Sequence, residues 1–124
     1  MDLSIIILNY KTKGLLKQCL RGIGLFSLPL KYEIIVVDNA SADGTERMMK
    51  EEFSNYQFIQ SQKNKGFSAG YNLGIKEARG KFLLLLNPDI AVLADSILKM
   101  YHFMESNSQV GLAGPKLLNP DGKV

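Results

Sequence analysis

Apolar residues in this chain fall into two patterns. Short unbroken runs at Ser4–Leu8 (Ser-Ile-Ile-Ile-Leu), Tyr32–Val37 (Tyr-Glu-Ile-Ile-Val-Val) and Phe82–Leu86 (Phe-Leu-Leu-Leu-Leu) alternate with longer stretches where apolar residues recur every three or four positions. An unbroken run reads as a strand buried on both faces of a parallel sheet, and the longer period as an amphipathic helix. From about Lys13 to Phe26, the residues Leu16, Cys19, Leu20, Ile23 and Phe26 share a helical face, with Lys17, Gln18 and Arg21 opposite. Cys19 on that stripe is expected to be a packed thiol. The loop from Ala40 opens a second helix whose Met48, Met49 and Phe53 face the core, and Asp43 and Glu46 have the spacing of a capping box. Tyr56–Gln60 is a weaker strand, expected at the sheet edge. A helix from about Ala94 to Glu105 would turn Ile97, Met100, Tyr101 and Met104 inward and leave His102 on the surface. Val110–Ala113 predicts a last strand, and Asn119-Pro120-Asp121-Gly122 a turn.

This alternation predicts a single α/β domain over residues 1–124, a mostly parallel sheet flanked by helices. A strong turn signal so close to Val124 reads as a fold cut short, so the domain is expected to be truncated on its C-terminal side.

The polar residues that follow the strands carry the chemistry. Pro88 has no N–H for a ladder, so the strand must stop there and deliver Asn87 and Asp89 at its carboxyl end. Tyr10 and Asp38 stand at the ends of the first two strands. In an open parallel sheet these ends share one edge, where ligands bind. Between them lies Asn64-Lys65-Gly66-Phe67-Ser68-Ala69-Gly70-Tyr71-Asn72-Leu73-Gly74, expected to continue as a helix to Arg79. Each glycine inside a helix costs about 1 kcal/mol against alanine. Gly70 and Gly74 therefore predict close approach by a neighbouring backbone or by a ligand. A helix N-terminus suits phosphate, and a carboxylate nearby can hold a divalent cation against a diphosphate. Together these features describe a nucleotide site. It is neither a dinucleotide-binding fold nor a P-loop: Leu8 is followed by Asn9-Tyr10-Lys11-Thr12-Lys13 without glycine, and Gly80-Lys81 leads into a strand.

Charge and cysteine usage narrow the setting. The net charge is +3 with the fifteen Lys and Arg scattered, which offers no stripe for nucleic acid. Such a mild positive field favours a phosphate-bearing ligand or an anionic membrane surface. Cys19 and His102 are each the sole residue of their type, excluding an internal disulfide, a cysteine zinc site and a multi-histidine metal site. A reducing, cytoplasmic location is expected, at most at the inner face of the membrane, because the chain has no apolar run long enough to span it.

Four segments, Ser-Ile-Ile-Ile-Leu-Asn-Tyr, Ile-Ile-Val-Val-Asp-Asn-Ala-Ser-Ala-Asp-Gly-Thr, Asn-Lys-Gly-Phe-Ser-Ala-Gly-Tyr-Asn-Leu-Gly and Leu-Leu-Leu-Leu-Asn-Pro-Asp, occur in an order and spacing that resemble family 2 glycosyltransferases. The resemblance implies the GT-A (Rossmann-like) fold and inverting transfer of a sugar from a nucleotide-diphosphate sugar, with Mg²⁺ or Mn²⁺ as cofactor. It implies an acceptor that is a cell-surface polysaccharide or a lipid-linked glycan. Tyr10 and Asp38 match positions that contact the base. Asn64, Gly66 and Asn72 match the glycine-rich segment on the nucleotide side. Asn87-Pro88-Asp89 stands where the family has D-x-D: Asp89 matches the acidic residue beside metal and diphosphate, and Asn87 departs from the pattern. The family resemblance implies a hexosyl- or rhamnosyltransferase with a deoxythymidine- or uridine-diphosphate sugar as donor; Asn-Pro-Asp, with Gly-Pro-Lys-Leu-Leu-Asn-Pro-Asp-Gly near the end, is most similar to the rhamnosyltransferase-like members, which implies deoxythymidine-diphosphate-rhamnose.

An inverting transferase needs a base to take the acceptor's proton. The family places it beyond the D-x-D motif, where this chain has only Asp95, Glu105 and Asp121, in a predicted helix and a turn. The expectation is a donor-binding part without its catalytic base. Two other readings stay open on the residues alone: a sugar nucleotidyltransferase, and a non-catalytic nucleotide-binding or interaction domain. A cut sheet would also leave an edge open to a second copy of the chain.

Overall fold

A computed structural model describes residues 1–92, 95–116 and 118–123. The chain falls into two compact units, Met1–Ala91 and Val92–Val124. The first contains β1 (Leu3–Asn9), α1 (Lys13–Gly24), β2 (Tyr32–Asp38), α2 (Thr45–Glu52), β3 (Gln57–Gln60), α3 (Phe67–Glu77) and β4 (Phe82–Leu86); the second contains α4 (Ser96–Ser106). Four strands form one sheet in the order β3-β2-β1-β4, and every pairing is parallel. The α/β prediction holds, as does the placing of β3 at an edge.

The two central strands carry the core. Ile5, Ile6, Ile7, Ile35, Val36 and Val37 are fully buried, as unbroken β-branched runs require when both faces are covered. Leu16, Cys19, Leu20 and Ile23 of α1 are buried on the predicted stripe. On the other face α3 lies against β1 and β2. Its glycines explain how closely: a Cβ on Gly70 would sit 2.6 Å from Leu8 Cδ1, and one on Gly74 2.5 Å from Ile6 Cγ2. The neighbour is neither the backbone nor the ligand that their spacing led us to expect, but side chains that β1 and β2 present to the helix.

Three expectations change. The Phe82–Leu86 run is not buried on both faces: Leu83 and Leu85 are 45% and 48% exposed, because among the described residues β4 pairs only with β1, and α3 covers β1 and β2 instead. The Asp43–Glu46 capping box does not form. Gly44, at φ 87°, is the N-cap, so Glu46 falls one position early and pairs with Lys50 while Asp43 Oδ1 accepts from Thr45 N. Val110–Ala113 is not a strand; no ladder partner reaches it among the described residues, and Leu112 is 91% exposed.

Within the second unit, Ile97 is buried, Met100, Tyr101 and Met104 are half-buried, and His102 is exposed, as the helical period predicted. Ala94, the predicted start of that helix, lies outside the described residues. No helix among the described residues is long and apolar enough to cross a membrane.

Candidate functional site

Parallel pairing puts the ends of β1, β2 and β3 side by side, with Asn9 opposite Asp38 and Asp38 opposite Gln60. All three side chains meet. Asp38 is 2% exposed, and each of its oxygens accepts two hydrogen bonds. Oδ1 accepts from Asn9 Nδ2 at 2.9 Å and Ser41 Oγ at 2.6 Å; Oδ2 accepts from Ser41 N at 3.1 Å and Gln60 Nε2 at 3.0 Å. No Lys or Arg side chain donates to it among the described residues, so neutral donors alone compensate a buried carboxylate.

Asn9, fully buried, extends the cluster. Its Nδ2 also reaches Thr45 Oγ1 at 3.2 Å, and its Oδ1 accepts from Thr12 Oγ1 at 2.7 Å. Ser41 Oγ accepts from Lys11 N at 2.7 Å. The two loops that make this possible are strained, with Lys11 at φ 55° after β1 and Ala40 at 63° and Ala42 at 53° after β2. Left-handed conformations cost a non-glycine residue about 1 kcal/mol each, and they persist where surrounding bonds overdetermine them.

Asn39, 2% exposed, reaches the other way. Its Nδ2 donates to Gly66 O at 3.1 Å and its Oδ1 accepts from Lys65 N at 3.1 Å, pinning the loop that opens α3. Gly66 has φ 85°, and Asn64 Oδ1 accepts from its N–H at 2.8 Å. Asn64 and Gly66 therefore belong to the same edge as Asp38. Asn72 is exposed on α3 and joins none of these bonds. Tyr10 follows β1, is 44% exposed, and has Lys11 Nζ 5.3 Å from its ring centroid. An open cleft of about 410 Å³ runs beside this loop, lined by Ala42, Asp43, Arg47, Gln60 and Gln62 among others.

At the end of β4, Asn87 O accepts from Ile90 N at 3.3 Å, closing a turn with Pro88 at its second position. Asn87 and Asp89 are both exposed on that turn. Buried Tyr71 of α3 reaches it: its hydroxyl lies 2.9 Å from Leu86 O and 3.0 Å from Asn87 Oδ1. Burial pushes the Tyr71 pKa up to about 12, helped by the Asp89 charge and opposed by a backbone N–H of Leu8. No group of three or more His, Cys, Asp or Glu gathers to hold a metal among the described residues. Asp89 with Asn87 beside it is nevertheless a fair donor set for Mg²⁺ or Mn²⁺, since magnesium is commonly bound by one or two carboxylates with substrate phosphates completing the shell.

Of the residues nominated from sequence, Asp38, Asn64 and Gly66 share one hydrogen-bonded edge, Tyr10 follows β1, and Asn87 and Asp89 sit on the turn after β4; Asn9, Asn39, Ser41, Gln60 and Tyr71, which complete these networks, were not nominated. Asn9 and Asn39 adjoin nominated residues, and being polar at the ends of apolar runs was their only signal. All four lone-pair positions of Asp38, the residue expected against the base, are taken by the chain's own donors, and a ligand meeting it directly would have to displace one of them.

The model of glycosyl transferase family 2 matches residues 4–118. The chain belongs to that family. It is 32% identical over 125 residues to the low-salt glycan biosynthesis hexosyltransferase Agl10 of Haloferax volcanii, covering 98% of this chain and 38% of that protein. It is 30% identical over 128 residues to the poly(ribitol-phosphate) beta-glucosyltransferase of Bacillus spizizenii, covering 98% and 20%. The chain thus spans well under half the length of these relatives. Two solved structures share its GT-A fold: S. aureus TarS 1–349, with TM-score 0.77, 21% identity and coverage of 94% and 39%, and the mannosyltransferase PcManGT of Pyrobaculum calidifontis in complex with GDP-Man and Mn²⁺, with TM-score 0.82, 19% identity and coverage of 97% and 36%. Membership in this family sets aside the nucleotidyltransferase reading.

Proposed function

We propose that these 124 residues form the donor-binding part of an inverting glycosyltransferase that takes a sugar from a nucleotide-diphosphate sugar. One observation carries the reading: in a chain of this family, the ends of β1, β2 and β3 and the loop opening α3 are locked into one edge by side chains of the chain itself. Such an edge is preorganised for a ligand. Tyr10 offers an exposed ring on which a base can stack. Asp38 shapes the base end through Asn9, Ser41 and Gln60. Asn64 and Gly66 form the glycine-rich turn, with Asn72 about one and a half turns further along α3. Asn87 and Asp89 stand at the diphosphate end.

Asp89, with Asn87, would hold Mg²⁺ or Mn²⁺, which would neutralise charge on the departing diphosphate. The relatives' names, a hexosyl- and a glucosyltransferase, support a hexose donor more than the rhamnose implied by the Asn-Pro-Asp resemblance. They equally support a surface glycan or glycopolymer as acceptor. Asp95 at the start of α4 is paired with Lys99, Glu105 lies on α4, and Asp121 sits in a turn where it accepts from Lys123 N, and we nominate none of them as the base. We therefore expect these residues to bind donor without transferring sugar.

Calorimetry with UDP, dTDP and GDP, each with Mn²⁺ and with EDTA, tests the reading. At least one should bind, and Tyr10→Ala should weaken it about tenfold, since base–aromatic stacking is worth about 1–3 kcal/mol. Binding of none would overturn the reading.

A further inference from the structure

Tyr71 Oη has two acceptors for neighbours, Leu86 O at 2.9 Å and Asn87 Oδ1 at 3.0 Å, but carries one hydrogen. A carbonyl oxygen cannot donate but an amide can turn to offer a hydrogen, so both contacts are full hydrogen bonds only when the hydroxyl serves Leu86 O and Asn87 gives the hydrogen for the contact at 3.0 Å. Turning the Asn87 amide by half a rotation exchanges Oδ1 and Nδ2 with almost no change in shape. Each contact then has its own hydrogen: the hydroxyl donates to Leu86 O, and Asn87 Nδ2 donates to the hydroxyl.

The consequence concerns the position where the chain departs from D-x-D. We propose that Tyr71 is a positioning residue that holds the Asn87 amide nitrogen, and so presents the Asn87 amide oxygen to the diphosphate end of the site, on the same turn as Asp89. An amide oxygen aimed this way is a usable ligand for a hard cation or a partner for its bound water. An amide aimed the other way would present N–H groups, which repel a cation. Tyr71 can do this because the glycines at 70 and 74 let α3 sink onto β1, bringing the ring to the end of β4. This inference rests on the donor-site reading above.

The test uses the 124-residue chain, with UDP and Mn²⁺ as probes. Amide exchange by NMR should show one Asn87 Nδ2 hydrogen exchanging several-fold more slowly than those of other exposed asparagines, and Tyr71→Phe should abolish that protection. In calorimetry, Tyr71→Phe should reduce the Mn²⁺-dependent gain in UDP affinity about tenfold, the low end of the effect of removing a partner behind a metal ligand. Asn87→Ala should show the same loss, and adding Tyr71→Phe to it should cost nothing more, as expected when one residue acts through the other. An unprotected Asn87 amide in the unaltered chain, or additive losses in the double variant, overturns the proposal. A protected amide in a chain that binds UDP neither with Mn²⁺ nor without it overturns the donor-site reading, and with it the role of the oxygen, while leaving the hydrogen bond in place.

Discussion

At its amino edge the sheet holds Glu33 between Ser4 and Arg79; at its carboxyl edge it holds Asp38 between Asn9, Ser41 and Gln60. Glu33 Oε1 accepts from Ser4 Oγ at 2.6 Å and Arg79 N at 2.8 Å, and Oε2 meets the Arg79 guanidinium at 3.2 Å. Burial alone would raise the Glu33 pKa, but these donors together with the Arg79 charge hold it below the usual value. The cation is 73% exposed, so water shares the charge and the clamp ties β1, β2 and the approach to β4 at little cost. Gly80 completes it: its N–H donates to Ser4 Oγ at 2.8 Å, and a Cβ there would lie 2.4 Å from Ser4 N.

Asp38 has no such cation and no such access to water. Its charge is held by neutral donors from two strands and a strained loop, an arrangement whose members cannot move singly. The amino edge is a clamp that fastens elements. The carboxyl edge is a frame that fixes loops, which is what a ligand-binding rim needs.

The largest difference between the edges should come from removing each charge in place. Asp38→Asn turns one buried acceptor into a donor facing donors and should cost about 3 kcal/mol, whereas Glu33→Gln should cost about 1 kcal/mol. Urea unfolding followed by circular dichroism measures both, and equal losses would erase the distinction.

A smaller effect is expected with pH. Because the folded-state pKa of Glu33 is depressed, its contribution is present above the ordinary glutamate value of 4.5 and is lost as pH falls through the lower folded value. The stability gap between the unaltered chain and Glu33→Gln should therefore be constant from neutral pH to about 5 and close as pH falls below the ordinary glutamate value. A gap that widens on acidification would reverse the sign of the clamp.

The smallest effect probes the strain. Ala42→Gly relieves a left-handed alanine worth about 1 kcal/mol and adds unfolded-state entropy of comparable size, so stability should change by less than about 0.5 kcal/mol. A loss of several times that by urea titration would mean that the Ala42 methyl packs in a way its exposure does not suggest.

Much of the fold was legible because burial on two faces leaves a mark in one dimension. The isoleucine and valine runs of β1 and β2 and the helical stripe of α1 could be read directly. Phe82–Leu86 looked the same and was misread, because a run of leucines does not say how far the covering helix extends. The capping box failed by a single residue, since Gly44 took the N-cap position in a left-handed conformation that spacing does not reveal. Within the candidate site, strand ends were legible and partners were not.

By itself, the sequence determined the parallel α/β fold, the family, and the edge on which polar residues gather, because each depends on local period or on motifs contiguous along the chain. Only the tertiary structure decided what those residues do to one another. Asp38 meets Asn9 and Gln60 through register, and Tyr71 meets Asn87 through the close seating of α3 on β1. Hydrogen bonds between residues tens of positions apart follow from packing, and spacing along the chain does not record them.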